Sequence, residues 1–288
     1  MRTGLLTVVA LGVAVPVAAQ KKDGLLSADQ AIALVTEHQG LVTALRTAMV
    51  DDAIVLYPGA PVAIGSTKVE HLLAAQPLLD SLTISWAPVE AWVSDAGDFG
   101  VTAGTMTIGR TAQAGSAPRR GGYLAAWRLE GDRWRLAAIM LGALAPPDRT
   151  ILPPGLLANE LPAAAPEGPA GPMVQADLDF AAHAGRFSAP EAFRLYAAPD
   201  AVILGGPTPR RGPDAIAVGV AGPADWSWYP VAARAAAAGD LGVTVGQSRI
   251  APRDGGAPSY GKYLTVWRRQ PDGTIRFLSD GGSSRPKP

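Results

Sequence analysis

The residues able to do chemistry are few. His38, His71 and His183 are the only imidazoles. His38-Gln39-Gly40 and His183-Ala184-Gly185 fall in similar first-helix regions, which would suit paired pocket bases. The plainer reading is a partly exposed histidine near a helix end. No two of the three have the spacing of a helical metal site, carboxylates are scattered, and Cys is absent. Thiol nucleophiles, disulfides and thiolate metal sites are therefore excluded, and neither zinc nor iron is expected. Asp98-Phe99-Gly100 spells a kinase tripeptide but has no phosphate loop or catalytic loop around it. The pieces Gly205 to Gly212 and Asp254-Gly255-Gly256 precede no phosphate-binding helix. No serine sits in a nucleophile elbow, and Arg119-Arg120 and Arg210-Arg211 read as solvated loop charges. No cofactor is expected.

The elements that must position any site come from a duplicated chain. Gly261-Lys262-Tyr263-Leu264-Thr265-Val266-Trp267-Arg268-Arg269 alternates like a strand and runs into the turn Pro271-Asp272-Gly273. Gly122-Tyr123-Leu124-Ala125-Ala126-Trp127-Arg128 echoes it at an offset of 140 (263 − 123). Ala176-Asp177 repeats Ala28-Asp29 at an offset of 148 (177 − 29), and Trp228-Tyr229-Pro230-Val231 repeats Trp86-Ala87-Pro88-Val89 at 142 (228 − 86). Gly239-Asp240-Leu241-Gly242-Val243-Thr244 likewise repeats Gly97 to Thr102. In each copy a 3.6-residue periodicity gives way to a 2-residue one, so helices precede an antiparallel meander. That is an α+β plan, with helices packed on one face of a curved sheet.

The expected organisation is residues 1–19 as a signal peptide, 27–142 and 174–284 as the two domains, and 143–173 as a Pro-rich linker. Ser27 with Gln30 and Thr67 with Glu70 have capping-box spacing. Ser188 and Glu191 predict a third cap, and Gly212-Pro213-Asp214 a further helix start. Ala232 to Ala238 favours helix by propensity, but its repeat partner Glu90 to Ala96 reads as strand, and strand is expected for both. Leu156, Leu157 and Leu161 are placed to pin the linker to a domain surface.

Composition narrows the partners. Hydrophobic content is 48%, charged content 17% and net charge zero, so neither nucleic acid nor an anionic membrane surface is expected to bind. Arg2, the apolar run Leu5 to Val15 and the small residues Val17-Ala18-Ala19 before Gln20 read as an export signal. The run is too short for a stable spanning anchor. A periplasmic or extracellular location is the expectation.

The Trp-x-Pro-Val strand, the Gly-Asp-Leu-Gly-Val-Thr-x-Gly strand and the Gly-Lys-Tyr-x-Thr-Val-Trp-Arg-Arg strand, set behind a helical half, resemble one group. This is an uncharacterised branch of the nuclear transport factor 2-like superfamily, related to ketosteroid isomerase and polyketide cyclases. Ala176 to Gly282 matches closely; Ser27 to Gly142 is degenerate, with Gly122 in place of Lys262 and Ile139-Met140 in place of Asp280. The resemblance implies two tandem cone-shaped domains, each enclosing an apolar cavity. It also implies a sheet face that pairs, giving a pseudo-dimer within the chain or a homodimer. In such a cavity Asp280 is the candidate general base, Tyr263 or Tyr196 the candidate donor and Lys262 a counter-charge. Tyr196, Trp228, Lys262, Tyr263 and Trp267 are the candidate ligand-binding residues. The reading that follows is an exported, non-catalytic protein that binds a small apolar molecule in its C-terminal cone. The alternatives are an exported isomerase, cyclase or hydrolase using Asp280, and a protein-interaction module.

Overall fold

The computed structural model describes residues 17–77, 79–110, 118–142, 150–156, 159–205, 208–220, 222 and 224–288. Most of the export-signal segment, the linker's first residues after Gly142 and Leu157 lie outside them. Among the described residues no helix is long and apolar enough to cross a membrane.

Two α+β units follow one another. The first holds α1 (Val17–Gln39), α2 (Leu41–Ala48), β1 (Met49–Leu56), β2 (Ala63–Ile64), α3 (Ser66–Ala74), β3 (Leu82–Val93), β4 (Phe99–Arg110), β5 (Arg119–Glu130) and β6 (Arg133–Leu141). The second holds α4 (Gly171–Arg186), α5 (Ala189–Tyr196), β7 (Val202–Ile203), β8 (Arg210–Arg211), α6 (Pro213–Gly219), β9 (Ala224–Ala235), β10 (Leu241–Pro252), β11 (Ser259–Arg269) and β12 (Ile275–Ser284). Each unit is built on a four-strand antiparallel meander, β3 to β6 and β9 to β12. Ala232 to Ala235 are strand, because cross-strand pairing with β10 outweighs their helix propensity.

The repeats share their irregularities. β3 bulges between Pro88 and Glu90, and β9 does so at the matching residues around Val231. The pairings of β5 with β6 and β11 with β12 slip after Ala126 and Val266, again equivalent positions. Bulges sharpen strand twist, so the same two defects in each sheet curl both sheets alike.

At one sheet edge the units part company. β1 pairs in parallel with β6, setting Val55 opposite Ile139. Its counterpart in the second unit makes one parallel bridge, Ala197 with Phe277, and then leaves the edge of β12. Ser279 holds the departing chain by donating its hydroxyl to the Val202 carbonyl at 2.7 Å.

Two expected caps are absent. α1 starts before Ser27, whose hydroxyl donates back to the Asp23 carbonyl at 2.8 Å instead of capping. α3 starts after Gly65, whose φ of 95° makes the entry turn without a side-chain cap. The Ser188 cap forms, accepting the Glu191 backbone N–H at 3.3 Å.

The sheet faces turned away from the helices meet each other. Val101, Leu124, Ala126 and Met140 of the first unit share one apolar cluster with Val243, Val245, Leu264 and Val266 of the second. Polar contacts at the rim are reciprocal. The Asp95 N–H donates to Asp240 at 2.7 Å, and the N–H of Ala237, the equivalent of Asp95, donates to Asp98, the equivalent of Asp240, at 2.9 Å. Part of the linker straps the remaining outer surface of β9 and β10. Gln247 accepts the Leu161 N–H at 3.0 Å, the Ala164 N–H donates to the Pro230 carbonyl at 2.8 Å, and Arg285 pairs with Glu160 at 2.8 Å.

Candidate functional site

A buried carboxylate anchors the long helix of each unit to its sheet. The buried stripe of α4 is Met173, Val174, Asp177, Phe180 and Ala184, so helical periodicity itself carries Asp177 into the core. Asp177 accepts hydrogen bonds from Trp228 Nε1 at 3.1 Å and the Tyr263 hydroxyl at 2.9 Å, with Thr244 as its third donor. Thr244 Oγ1 in turn accepts from Trp267 Nε1 at 2.8 Å. The first unit repeats the network position by position. Asp29 accepts from Trp86 Nε1 at 3.0 Å, Thr102 Oγ1 at 2.5 Å and the Tyr123 hydroxyl at 3.0 Å, while Trp127 Nε1 donates to Thr102 at 2.9 Å. Burial raises both carboxyls above the usual range against the pull of these donors, Asp177 to about 7. The repeat Ala28-Asp29 and Ala176-Asp177 was legible in the sequence as alignment. The signal overlooked was a charged residue inside an apolar helical stripe.

Above this network the second unit holds a cavity of about 550 Å³. Phe180 of α4, Phe193 of α5, Trp226 and Trp228 of β9 and Ile250 of β10 form apolar walls. The cavity reaches the open edge of β12, where Asp280, Gly281 and Gly282 line it, and is bounded there by Leu124 and Met140 of the first unit. Asp280 pairs across the sheet with Thr265, which donates to it at 2.6 Å. Burial pushes the Asp280 carboxyl up to about 6, and its charge adds to the upward shift of Asp177.

The same register explains why the first unit lacks this chemistry. Ala125 stands opposite Ile139 where Thr265 stands opposite Asp280. Both replacements are buried. At helix positions offset by 148, Ile32 and Leu45 replace Phe180 and Phe193, and both are buried in the first unit's own apolar cluster.

Of the residues singled out by sequence, Asp280, Trp228, Lys262 and Tyr263 line the cavity, and two do not. Trp267 is fully buried beneath it, donating to Thr244 and packed edge-on against Phe180 and Phe277, each at 6.1 Å. Tyr196, at the end of α5, stacks behind Phe180 at 5.2 Å, outside the cavity wall. Two expected roles also fail. Lys262 is three residues from Thr265, so it projects from the opposite face of β11 to the Asp280–Thr265 pair and donates to the Ser284 carbonyl at 2.7 Å. Burial, with Arg285 nearby, drives the ammonium well below its usual range, and Lys262 is not the counter-charge of Asp280. Tyr263 gives its hydroxyl proton to Asp177, which withdraws it as a donor to a bound molecule. Arg210, read from the sequence as a solvated loop charge, is part of the cavity wall.

The histidines stay apart from the cavity. His38 and His71 sit in the last turns of α1 and α3, and His183 stacks on Phe187 at 4.5 Å with Glu191 3.8 Å away. Among the described residues no group of His, Asp or Glu is arranged to hold a metal ion.

No family model matches the chain, and no curated protein matches it. Solved structures do. A ketosteroid isomerase-like protein from Erwinia carotovora atroseptica is 16% identical, with a TM-score of 0.36, over 42% of this chain and 94% of its own. A nuclear transport factor 2-like protein with a cystatin-like fold from Novosphingobium aromaticivorans is 15% identical, with a TM-score of 0.37, over 42% of this chain and 80% of its own. An epoxide hydrolase of Mycobacterium tuberculosis is 12% identical, with a TM-score of 0.32, over 42% of this chain and 80% of its own. Other solved structures that match include a polyketide cyclase-like protein from Xanthomonas campestris and nuclear transport factor 2-like proteins, spanning 40–42% of the chain.

Proposed function

We propose that this protein is exported and binds a small, largely apolar molecule in the cavity of its C-terminal unit, with the N-terminal unit acting as a structural partner. The observation that carries the reading is the cavity of about 550 Å³, walled by Phe180, Phe193, Trp226 and Trp228 and holding the Asp280 carboxyl. Ligand sites are typically cavities of about 300–1,000 Å³, mostly apolar with a few convergent polar groups. The paired sheet faces make the chain an internal dimer, in which Leu124 and Met140 of the first unit close one side of the second unit's cavity. Export rests on Arg2, the Leu5 to Val15 run and Val17-Ala18-Ala19. Native mass spectrometry of the mature protein, purified without detergent from the exported fraction, tests the reading. A reproducible added mass that disappears in Ile250→Trp supports it; a bare mass under conditions that preserve the fold counts against it.

A second reading has one observation in its favour. The Asp280 carboxyl faces the cavity with a pKa near 6, which suits a general base close to neutrality. Under that reading Asp280→Asn abolishes turnover while ligand affinity stays within about twofold, because the side chain keeps its shape and loses only its basicity.

A further inference from the structure

Among the described residues, Arg210 is the arginine of the cavity wall, and no carboxylate of the chain pairs with it. It lies on β8, directly before α6, and its Nη1 donates weakly to the Gly219 carbonyl at 3.4 Å. Among the described residues no carboxylate lies within ion-pair distance of it. Other arginines of the second unit do hold carboxylates. Arg211 takes Glu90 at 2.8 Å, Arg234 takes Asp52 at 2.9 Å, Arg268 takes Asp200 at 2.8 Å and Arg285 takes Glu160 at 2.8 Å. The adjacent Arg211 thus turns away to the first unit while Arg210 faces the cavity.

The wall also carries unused hydrogen-bonding capacity. Arg210 Nε and Ser283 Oγ are buried without a hydrogen-bond partner, and both residues line the cavity. Buried donors are nearly always satisfied in folded proteins, so the orphaned Arg210 Nε on the cavity wall calls for a partner that the chain does not supply. A guanidinium bonds a carboxylate in a planar two-point geometry, and such charge-assisted bonds are about twice as strong as neutral ones. Phe180, Phe193, Trp226, Trp228 and Ile250 supply the apolar part of the lining.

From the unpaired Arg210 with its orphaned Nε and from the aromatic walls, we infer that the molecule bound in this cavity is an amphipathic carboxylate, its acid group held by Arg210 and its apolar body lying between Phe180, Phe193, Trp226 and Trp228. This rests on the proposal that the C-terminal cavity is a binding site and names the chemistry of what it binds. Asp280, elsewhere on the wall, restricts where the acid group can sit, because an ionised Asp280 repels it.

Decanoate and decan-1-ol separate the two ideas. They share an apolar tail and differ in the charge of the head group. Isothermal titration of the wild-type protein at pH 7.5 should show decanoate binding at least about tenfold more tightly than decan-1-ol. Arg210→Met should erase that preference, bringing the affinity for decanoate down to that for decan-1-ol. Equal affinities for the two probes in the wild type would overturn the carboxylate assignment while leaving an apolar site intact. A preference that survives Arg210→Met would overturn the role of Arg210. Binding of neither probe would overturn the cavity reading and this inference together.

Discussion

At the scale of single residues, Asp29 and Asp177 each take hydrogen bonds from an indole, a phenol and a threonine hydroxyl. An amide at either position would turn an NH₂ group toward those donors. Asp29→Asn and Asp177→Asn should each destabilise the protein by about 1–3 kcal/mol in urea denaturation, the cost of leaving buried partners unmatched. Asp280 adds a pH dependence. Its folded-state pKa of about 6, like the value near 7 for Asp177, lies above that of a free aspartate. The folded state therefore holds protons that the unfolded chain has released. The associated stability is present below about pH 4 and is lost as pH rises through 6 and 7. Melting temperature should fall between pH 4.5 and 7.5, and it should fall less in Asp280→Asn, which cannot titrate there. A drop of the same size in both proteins would show that Asp280 is not the titrating group. Asp280 could be reached from the sequence through its resemblance to acid–base sites. Arg210 could not, since only folding shows that its carboxylate partner is missing.

At the scale of elements, the antiparallel meander of each repeat could be read from its two-residue alternation. Helix starts were legible at Ser188 and at Gly212-Pro213-Asp214 but not at Ser27, which lies inside α1, or at Thr67, where Gly65 makes the entry turn of α3. Two glycines show how the sheets make room for the aspartate networks. A methyl on Gly104 would overlap the Ala87 carbonyl and the Tyr123 ring, and one on Gly246 would overlap the Tyr229 carbonyl and the Tyr263 ring. Gly104→Ala and Gly246→Ala should therefore each cost about 1–3 kcal/mol by overpacking, read from denaturant midpoints at unchanged slope. A neutral result at either site would mean that the tyrosine can move without breaking its bond to aspartate. The open edge of β12 is the element the sequence hid most completely. Met49 and Ala197 begin equivalent segments, yet one pairs along β6 and the other makes a single bridge before diverging.

At the scale of the whole molecule, duplication has produced a pair of sheets packed outer face to outer face, with reciprocal hydrogen bonds at Asp98 and Asp240. Because one apolar cluster spans both units, they should unfold together. Tryptophan fluorescence and far-ultraviolet circular dichroism should give one coincident transition, and two separated transitions would mean that the units are energetically independent. The sequence revealed the duplication but not the division of labour, which lies in register: Ile139 fills the place of Asp280 and Ala125 that of Thr265. The measurement that tests the central claim most directly is a crystal structure of the protein grown with saturating decanoate. The account predicts ligand density inside the second unit, between Trp226, Trp228 and Phe180 and reaching Arg210. Density confined to the first unit or the outer surface, or an empty C-terminal cavity at saturation, would contradict it.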